Sequence, residues 1–489
     1  MGQPSISISF TELGITALKR SERGIVAMIL KGTNTGPFSV TTESDIPLTM
    51  SAYNKEQIML ALQGYDNPPS RVIGIVIPAT AYTYTTATIV TGDNPTTKGW
   101  YVKDGDDYIA STDTIAKSGV TYYEDKYTAV TPEAGDSPVE NEWYEKDGDV
   151  YTLSEDEEVD GEKTYYSHSY AQPSTVNRAS NPASSSWYEL VGGEYVASVD
   201  TWPADGKVYF SRSSEQSANT DYTAAYDYLS TVKFNYLVVP TVETDGKGAS
   251  VASFVKTQRA DHNLIKAVLP NVAGDNEGII NVATSQWING DTTYTAEQYC
   301  SRIAGIIAGT PLTKSATYAP LFELTDCTRM SRADADAAEE AGKFVALWDG
   351  EKVKMGRAVN SLVTTSAGKG RQFQKIKIVD AMDMIASDIR TSCEDNYIGK
   401  YANTFKNKCL LLSAINNYFD ELMKESVIEG YSLDIDSEAN RQYLIGRGID
   451  VTKMTEDEIR RANTGSFVYL VATLSMVDAI EDIVLPITI

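Results

Sequence analysis

The chain has 489 residues, 42% hydrophobic and 22% charged, with a formal net charge of -25 at pH 7. This is globular rather than disordered composition, and the length exceeds what one ordinary core fills. No run of about 18 apolar residues is present to cross a bilayer, and the start lacks the features of a secretion signal, so synthesis is expected to end in a cytoplasm.

In chain order, the first element is the stretch SISISF. It puts Ile6, Ile8 and Phe10 on one face of an extended segment and Ser5, Ser7 and Ser9 on the other, the period of two that marks a strand. RGIVAMILKG and RVIGIVIP read as buried strands either side of a helical NKEQIMLALQG. After a long interruption the pattern resumes with a helical AAYDYLSTV, then KFNYLVVP, IKAVLP and GIINVAT. Short apolar runs alternating with helices predict an α/β (α+β) core whose partly parallel sheet is covered on both faces. A helix over 296–307 follows, and FVALWDGEKVKMG predicts a hairpin turning at Asp349-Gly350.

From about Gln372 the pattern is more helical. Leu412, Ile415, Phe419 and Leu422 form one apolar face, and Thr455 with Glu458 has the spacing of a capping box on a helix closing at Gly465. SFVYLVATL, Ser466 to Leu474, reads as a strand with Phe467, Tyr469 and Val471 on one face. The last stretch, AIEDIVLPITI, alternates Leu485, Ile487 and Ile489 with Pro486 and Thr488. Both ends therefore read as strands in search of a sheet, and an unpaired apolar strand is an aggregation hazard in a monomer.

The interruption has its own character. Between Ala81 and Thr220 stand 25 Asp/Glu and 9 Lys/Arg, a charge of -16, which repels phosphate backbones and anionic lipid and is expected to keep a crowded surface soluble. WYVKDGDDYIAS, WYEKDGDVYTLS and WYELVGGEYVAS begin at Trp100, Trp143 and Trp187, spaced by 43 and 44 residues. Each is followed at the same offset by a second element ending at Tyr123, Tyr166 or Phe210. The period predicts three copies of a hairpin plus one strand, with Asp104-Gly105, Asp147-Gly148 and Gly192-Gly193 as turns. Their aromatics are expected to form small cores, the alternative being a carbohydrate-stacking surface. The acidic clusters lack the ligand pattern of a calcium loop.

Chemistry is sparse. Cys300, Cys327, Cys393 and Cys409 have no paired spacing, and the two histidines, His168 and His262, give no basis for a triad. SAGKGR, at 366–371, lacks the upstream glycine and the Ser/Thr of a phosphate loop. No catalytic, cofactor or metal residues are assigned, and a non-enzymatic protein is expected.

The opening PSISISFTELGITALKRSERGIVAMILKG, then YNKEQIMLALQGY, KFNYLVVP with KAVLPNVAGDNEGIINVAT, and the closing GSFVYLVATLSMVDAIEDIVLPITI resemble the contractile phage tail sheath proteins, a family that includes XkdK-like prophage and R-type bacteriocin sheaths. The resemblance covers about residues 1–80 and 222–489. It implies stacked hexameric rings around an inner tail tube, capped by a baseplate and tail terminator, with strand arms exchanged between subunits and contraction driving the tube through a bacterial envelope. The donor strands would be Ile6, Ile8, Phe10 and Leu485, Ile487, Ile489, with Phe467, Tyr469 and Val471 on the receiving strand. The basic run Lys369, Arg371, Lys375 and Lys377 would face the tube, or else be an ordinary solvated strand and loop. The implied organisation is an N-terminal arm (1–20), a core (21–80 with 222–370), a decoration insert (81–221) and a C-terminal assembly domain (371–489). No direct nucleic-acid contact, membrane insertion or cofactor is implied. The aromatic repeats leave a rival, a surface adhesin or glycan-binding structural protein.

Overall fold

A computed structural model describes Leu18 and residues 22–204 and 206–488. Ile6, Ile8, Phe10 and Ile489 lie outside the described residues. The chain divides into two compact units, Met1–Ala79 with Asn219–Ile489, and Thr80–Ala218.

The first unit begins with β1 (Ile25–Gly32), β2 (Gly36–Val40), α1 (Ala52–Leu62) and β3 (Arg71–Pro78). In β1 the alternation is between two cores rather than between core and water. Val26, Met28 and Leu30 enter one apolar cluster, whereas Ile25, Ala27 and Ile29 enter another. A strand covered on both faces must be apolar throughout, which is why these residues read as an uninterrupted run.

The second unit contains β4 (Thr80–Thr86), β5 (Tyr101–Asp104), β6 (Asp107–Ala110), β7 (Tyr122–Ala129), β8 (Tyr144–Asp147), β9 (Val150–Leu153), β10 (Tyr165–Ala171), β11 (Tyr188–Val191), β12 (Glu194–Ala197) and β13 (Phe210–Ala218). They form a six-stranded sheet, β6-β5-β7-β10-β8-β9, and a four-stranded sheet, β12-β11-β13-β4. The same local device recurs three times. Trp100, Trp143 and Trp187 pack 5.7, 6.0 and 6.2 Å from Tyr122, Tyr165 and Tyr209. Those tyrosine hydroxyls donate to Asp113, Asp156 and Asp200 at 2.8, 2.6 and 2.6 Å, and each accepts a backbone N–H at 3.0 Å from Lys117, Asp160 or Ala204. A core this small depends on polar ties of that kind.

The chain returns through α2 (Thr223–Ser230), β14 (Tyr236–Val238), α3 (Gly248–Ala260), β15 (Lys266–Pro270) and β16 (Ile279–Val282). Next come β17 (Gln286–Asn289), β18 (Thr292–Thr295), α4 (Ala296–Gly309), β19 (Asp326–Cys327), α5 (Arg332–Glu340), β20 (Lys343–Phe344), β21 (Ala346–Trp348) and β22 (Val353–Met355). The seven-stranded sheet runs β2-β3-β1-β14-β15-β16-β20, parallel except for the antiparallel β2. On one face α4 packs against α1 so closely that a Cβ on Gly305 would lie 2.0 Å from the Ala61 carbonyl oxygen.

The remaining elements are α6 (Ile376–Asn396), α7 (Phe405–Lys424), β23 (Ile428–Ile435), α8 (Ser437–Gly446), α9 (Glu456–Arg461) and β24 (Leu470–Met476). Buried charge ties α6 to the sheet. Asp383 accepts from Arg259 Nη1 and Nη2 at 2.8 and 3.0 Å and from Lys266 Nζ at 2.7 Å. Asp380 takes Lys266 Nζ at 3.2 Å and the Tyr236 hydroxyl. Burial alone would raise the Asp383 pKa, but Lys266 and Arg259 outweigh it and hold the carboxyl below its ordinary value.

Two outcomes follow from these contacts. A carboxyl whose folded pKa is depressed stabilises the fold above its unfolded pKa of about 3.9 and loses that contribution as pH falls through the lower folded value. Asp383→Asn leaves Lys266 and Arg259 short of a buried partner, so urea unfolding at pH 7 should show a loss of about 3–5 kcal/mol, with a shallower decline in acid than the parent. Tyr165→Phe removes one donor and one acceptor and should lower the stability of the 80–218 unit by about 1–3 kcal/mol in urea while leaving the transition of the other unit in place.

Candidate assembly surface

The feature that distinguishes the C-terminal region is a sheet of two strands. β23 and β24 pair antiparallel from Gly430 opposite Ser475 to Ile435 opposite Leu470. α7 covers one face, placing Ile415, Phe419 and Leu422 in a cluster with Tyr431, Leu433, Leu470 and Leu474. The Tyr431 hydroxyl reaches over to Asp420 at 2.8 Å, locking helix to hairpin. Among the described residues neither outer edge of this ladder is paired with a further strand. A two-stranded ladder has an unmet row of N–H and C=O groups on each side, and added strands are the usual way to satisfy them.

The expected receiving strand is shorter than the sequence predicts. Val471 lies in β24 and is exposed, but Phe467 and Tyr469 precede it. The backbone of this segment is occupied elsewhere: Asn403 Nδ2 donates to the carbonyls of Gly465 and Phe467 at 2.8 Å each, the Thr464 hydroxyl also donates to Phe467, and the Asp436 N–H takes the Tyr469 carbonyl at 3.0 Å. The rings of Phe467 and Tyr469 stack at 5.9 Å, with Tyr443 beside them.

Beyond β24 the segment 477–488 forms no helix or strand. Its apolar side chains face outward: Ile480, Ile483, Val484, Leu485 and Ile487 are 88, 82, 91, 75 and 76% exposed. Leu485 and Ile487 therefore have an extended partner neither in the hairpin nor elsewhere among the described residues. The base of the segment is held. Val477 N–H donates to the Val427 carbonyl at 3.1 Å, and Glu481 accepts from Thr317 Oγ1 at 2.7 Å, Ser315 Oγ at 3.3 Å, Arg357 Nη1 at 3.2 Å and Lys375 Nζ at 3.2 Å. Arg357 also grips Asp482 at 2.8 Å, and Lys375 pairs with Asp478.

These contacts bear on the basic run. Lys375 stands in extended conformation at the start of α6, bridged to Val359 and half-buried, and Lys377 lies in the first turn of the helix, not in a solvated strand or loop. Lys377 is buried and donates to the Val477 carbonyl at 2.7 Å. Burial depresses the Lys377 ammonium pKa against the pull of Asp478 and Glu481. Lys369 pairs with Glu277 at 2.7 Å, and Arg371, in a short 3-10 turn, is exposed. Sequence reasoning could not place these pairs, because the partners stand about a hundred residues away in the chain.

In the aromatic unit, Tyr84, Tyr127 and Tyr170 stack face to face on Tyr195, Tyr151 and Tyr108, with centroids 3.8, 3.9 and 4.1 Å apart. Lys103 and Lys146 lie over the rings of Tyr108 and Tyr151. The faces that a sugar ring would stack on are largely turned to one another or to lysine.

The family descriptions "Phage tail sheath protein central domain" and "Phage tail sheath C-terminal domain" match residues 215–361 and 368–489. The tail sheath protein of Clostridium phage phiCD119 is 41% identical over 256 residues, 52% of this chain and 72% of that protein. This chain belongs to the phage tail sheath family. The protein XkdK of the phage-like element PBSX in Bacillus subtilis is also similar, 32% identical over 35% of this chain and 38% of its own. The crystal structure of a sheath tail protein from Desulfitobacterium hafniense shares the fold with a TM-score of 0.52 at 19% identity, covering 89% of this chain and 94% of that one. The protein is accordingly a structural sheath subunit and a component of the virion tail.

Asn403 helps to hold the carbonyls just before β24. Asn403→Ala removes the donor that Asn403 gives the Gly465 carbonyl and one of the two on the Phe467 carbonyl, and should lower stability by about 1–3 kcal/mol in urea, with faster amide exchange at 464–470 than in the parent sheath subunit.

Proposed function

We propose that this sheath subunit polymerises as stacked hexameric rings around an inner tail tube, joined by strand exchange, and contracts to drive the tube through a bacterial envelope. The observation that carries the reading is the juxtaposition of an exposed apolar C-terminal segment with a two-stranded ladder whose outer edges carry no further strand among the described residues. Leu485, Ile487 and Ile489 from one copy, and Ile6, Ile8 and Phe10 from another, would extend the β23–β24 ladder of a third. Val471 lies within the receiving strand, with Phe467 and Tyr469 at its approach. Pro486 lacks a donor and fits a position whose nitrogen points away from the ladder.

Strand connections of this kind persist while ring-to-ring contacts slide between a loose and a tight packing. The energy is stored in the extended state at assembly, in the host cytoplasm, and is released when a baseplate triggers the change. The tube partner would meet Arg371, the exposed member of the basic run, with Lys369, Lys375 and Lys377 behind it. The acidic insert serves to keep a crowded assembly soluble. The organisation into arm, core, insert and C-terminal assembly domain supplies each of these roles from a separate stretch of chain. A glycan-binding reading draws less support, since the stacked tyrosines spend their faces on one another.

Electron microscopy of the purified chain should show six-fold tubes, and removal of residues 483–489 should abolish them while leaving the thermal unfolding of the subunit unchanged. Tubes that persist after both terminal arms are deleted would refute the exchange.

A further inference from the structure

Burial is inverted at the base of the C-terminal segment. The Glu481 side chain is 7% exposed while its neighbours Ile480 and Ile483 are 88 and 82% exposed. A carboxylate goes inside, and stays there, only where cations and donors meet it. Here they come from two directions. Ser315, Thr317 and Arg357 belong to the stretch matched by the central sheath domain, and Lys375 to the stretch matched by the C-terminal domain. Glu481 therefore lies across the seam between the two, where the Ile376 N–H also donates to the Ala358 carbonyl at 3.1 Å.

We propose that Glu481 is a positioning residue that clamps the root of the C-terminal arm across this seam and so sets how much chain is free to reach a neighbouring subunit. The inference rests on the strand-exchange reading for its use in assembly, but the clamp itself is a property of the single chain.

The clamp has an inner and an outer part. Inside are the Glu481 carboxylate with its hydroxyl donors, and the buried Lys377 holding the Val477 carbonyl. Outside, Asp482, 74% exposed at its side chain, and Asp478, 39% exposed, pair with Arg357 and Lys375 where water and salt reach them. Glu339 also faces Arg357, at 3.9 Å, so the two cations Arg357 and Lys375 are shared among four carboxylates and cannot satisfy all of them equally. Of the four, Glu481 is the one that meets both cations and the two hydroxyls, which makes it the member whose loss opens the rest.

The consequence is one of length. With the clamp closed, the free arm begins at Ile483. With it open, the five residues from Asp478 to Asp482 join the arm, and at about 3.3 Å per extended residue the reach grows by roughly 17 Å. That difference exceeds the spacing of several strands, so a closed clamp restricts which ladder an arm can enter.

Limited digestion of the dilute full-length chain with subtilisin, with cut sites mapped by mass, tests the clamp without requiring assembly. In the parent, cuts should fall beyond Asp482. In Glu481→Gln, which keeps size and a hydrogen-bonding oxygen but removes the charge, cuts within 477–482 should appear at least tenfold faster at an unchanged melting temperature. Asp482→Asn, altering only an exposed partner, should behave as the parent. If Glu481→Gln does not fold, Arg357→Gln, which removes one of the two cations that meet the Glu481 carboxylate, takes its place and should show the same new cuts. Unchanged cutting within 477–482 in both arms would overturn the clamp. For tubes, Glu481→Gln should give irregular ring spacing by electron microscopy. Regular tubes from a chain with an opened root would overturn the role in reach, whereas failure of the parent to form tubes at all would count against strand exchange and leave the clamp standing.

Discussion

Everything that the C-terminal region can do for an assembly depends on its being held rigidly to the parallel sheet, and buried charge does the holding. Asp383 and Asp380 on α6 meet Arg259 and Lys266, which come from α3 and from the start of β15. A buried ion pair contributes little net stability over an apolar contact of the same shape, but it tolerates no slip, since either partner left alone is costly. The network thus serves registry more than stability. Through α6 and α7 it carries the position of the sheet to the β23–β24 ladder, so that a strand added to that ladder would pull on the whole body.

The legible parts of the sequence were those governed by local rules. β1 and β3 fall on the apolar runs because strands with two covered faces leave no polar position, and α7 presents Ile415, Phe419 and Leu422 to its core at the predicted spacing. The capping box at Thr455 and Glu458 is present, closing α9 on itself at its first turn. What the sequence concealed depends on distance. The carbonyls just before β24 are held partly by Asn403, more than sixty residues upstream, a contact that no local pattern around Phe467 signals. Likewise Lys375 and Lys377 read as a solvated basic run until the acidic segment at 477–482 is folded against them. Glu481 carried no signal at all, because an acid among isoleucines looks like the exposed residue of the group.

The aromatic unit solves a different problem. Its strands are four to nine residues long and its cores small, so each repeat couples one tryptophan and one tyrosine to a carboxylate that also takes a lysine: Asp113 with Lys117, Asp156 with Lys163 and Asp200 with Lys207. Stacked tyrosines then join repeats to one another: Tyr127 of the first lies on Tyr151 of the second, and Tyr170 of the second on Tyr108 of the first. The first two copies thus lean on each other, while the third stacks its Tyr195 on Tyr84 of β4.

The four-stranded sheet closes with Thr80 opposite Ala218, and the next pair outward, Ala79 and Asn219, is also hydrogen bonded. The two feet of the insert thus stand about 4.8 Å apart, one strand's width. To the host, the whole excursion is topologically no longer than a tight hairpin, and the entropy of closing so large a loop is met inside the guest. A sheath lineage could acquire, exchange or shed such cargo without retuning the body that polymerises.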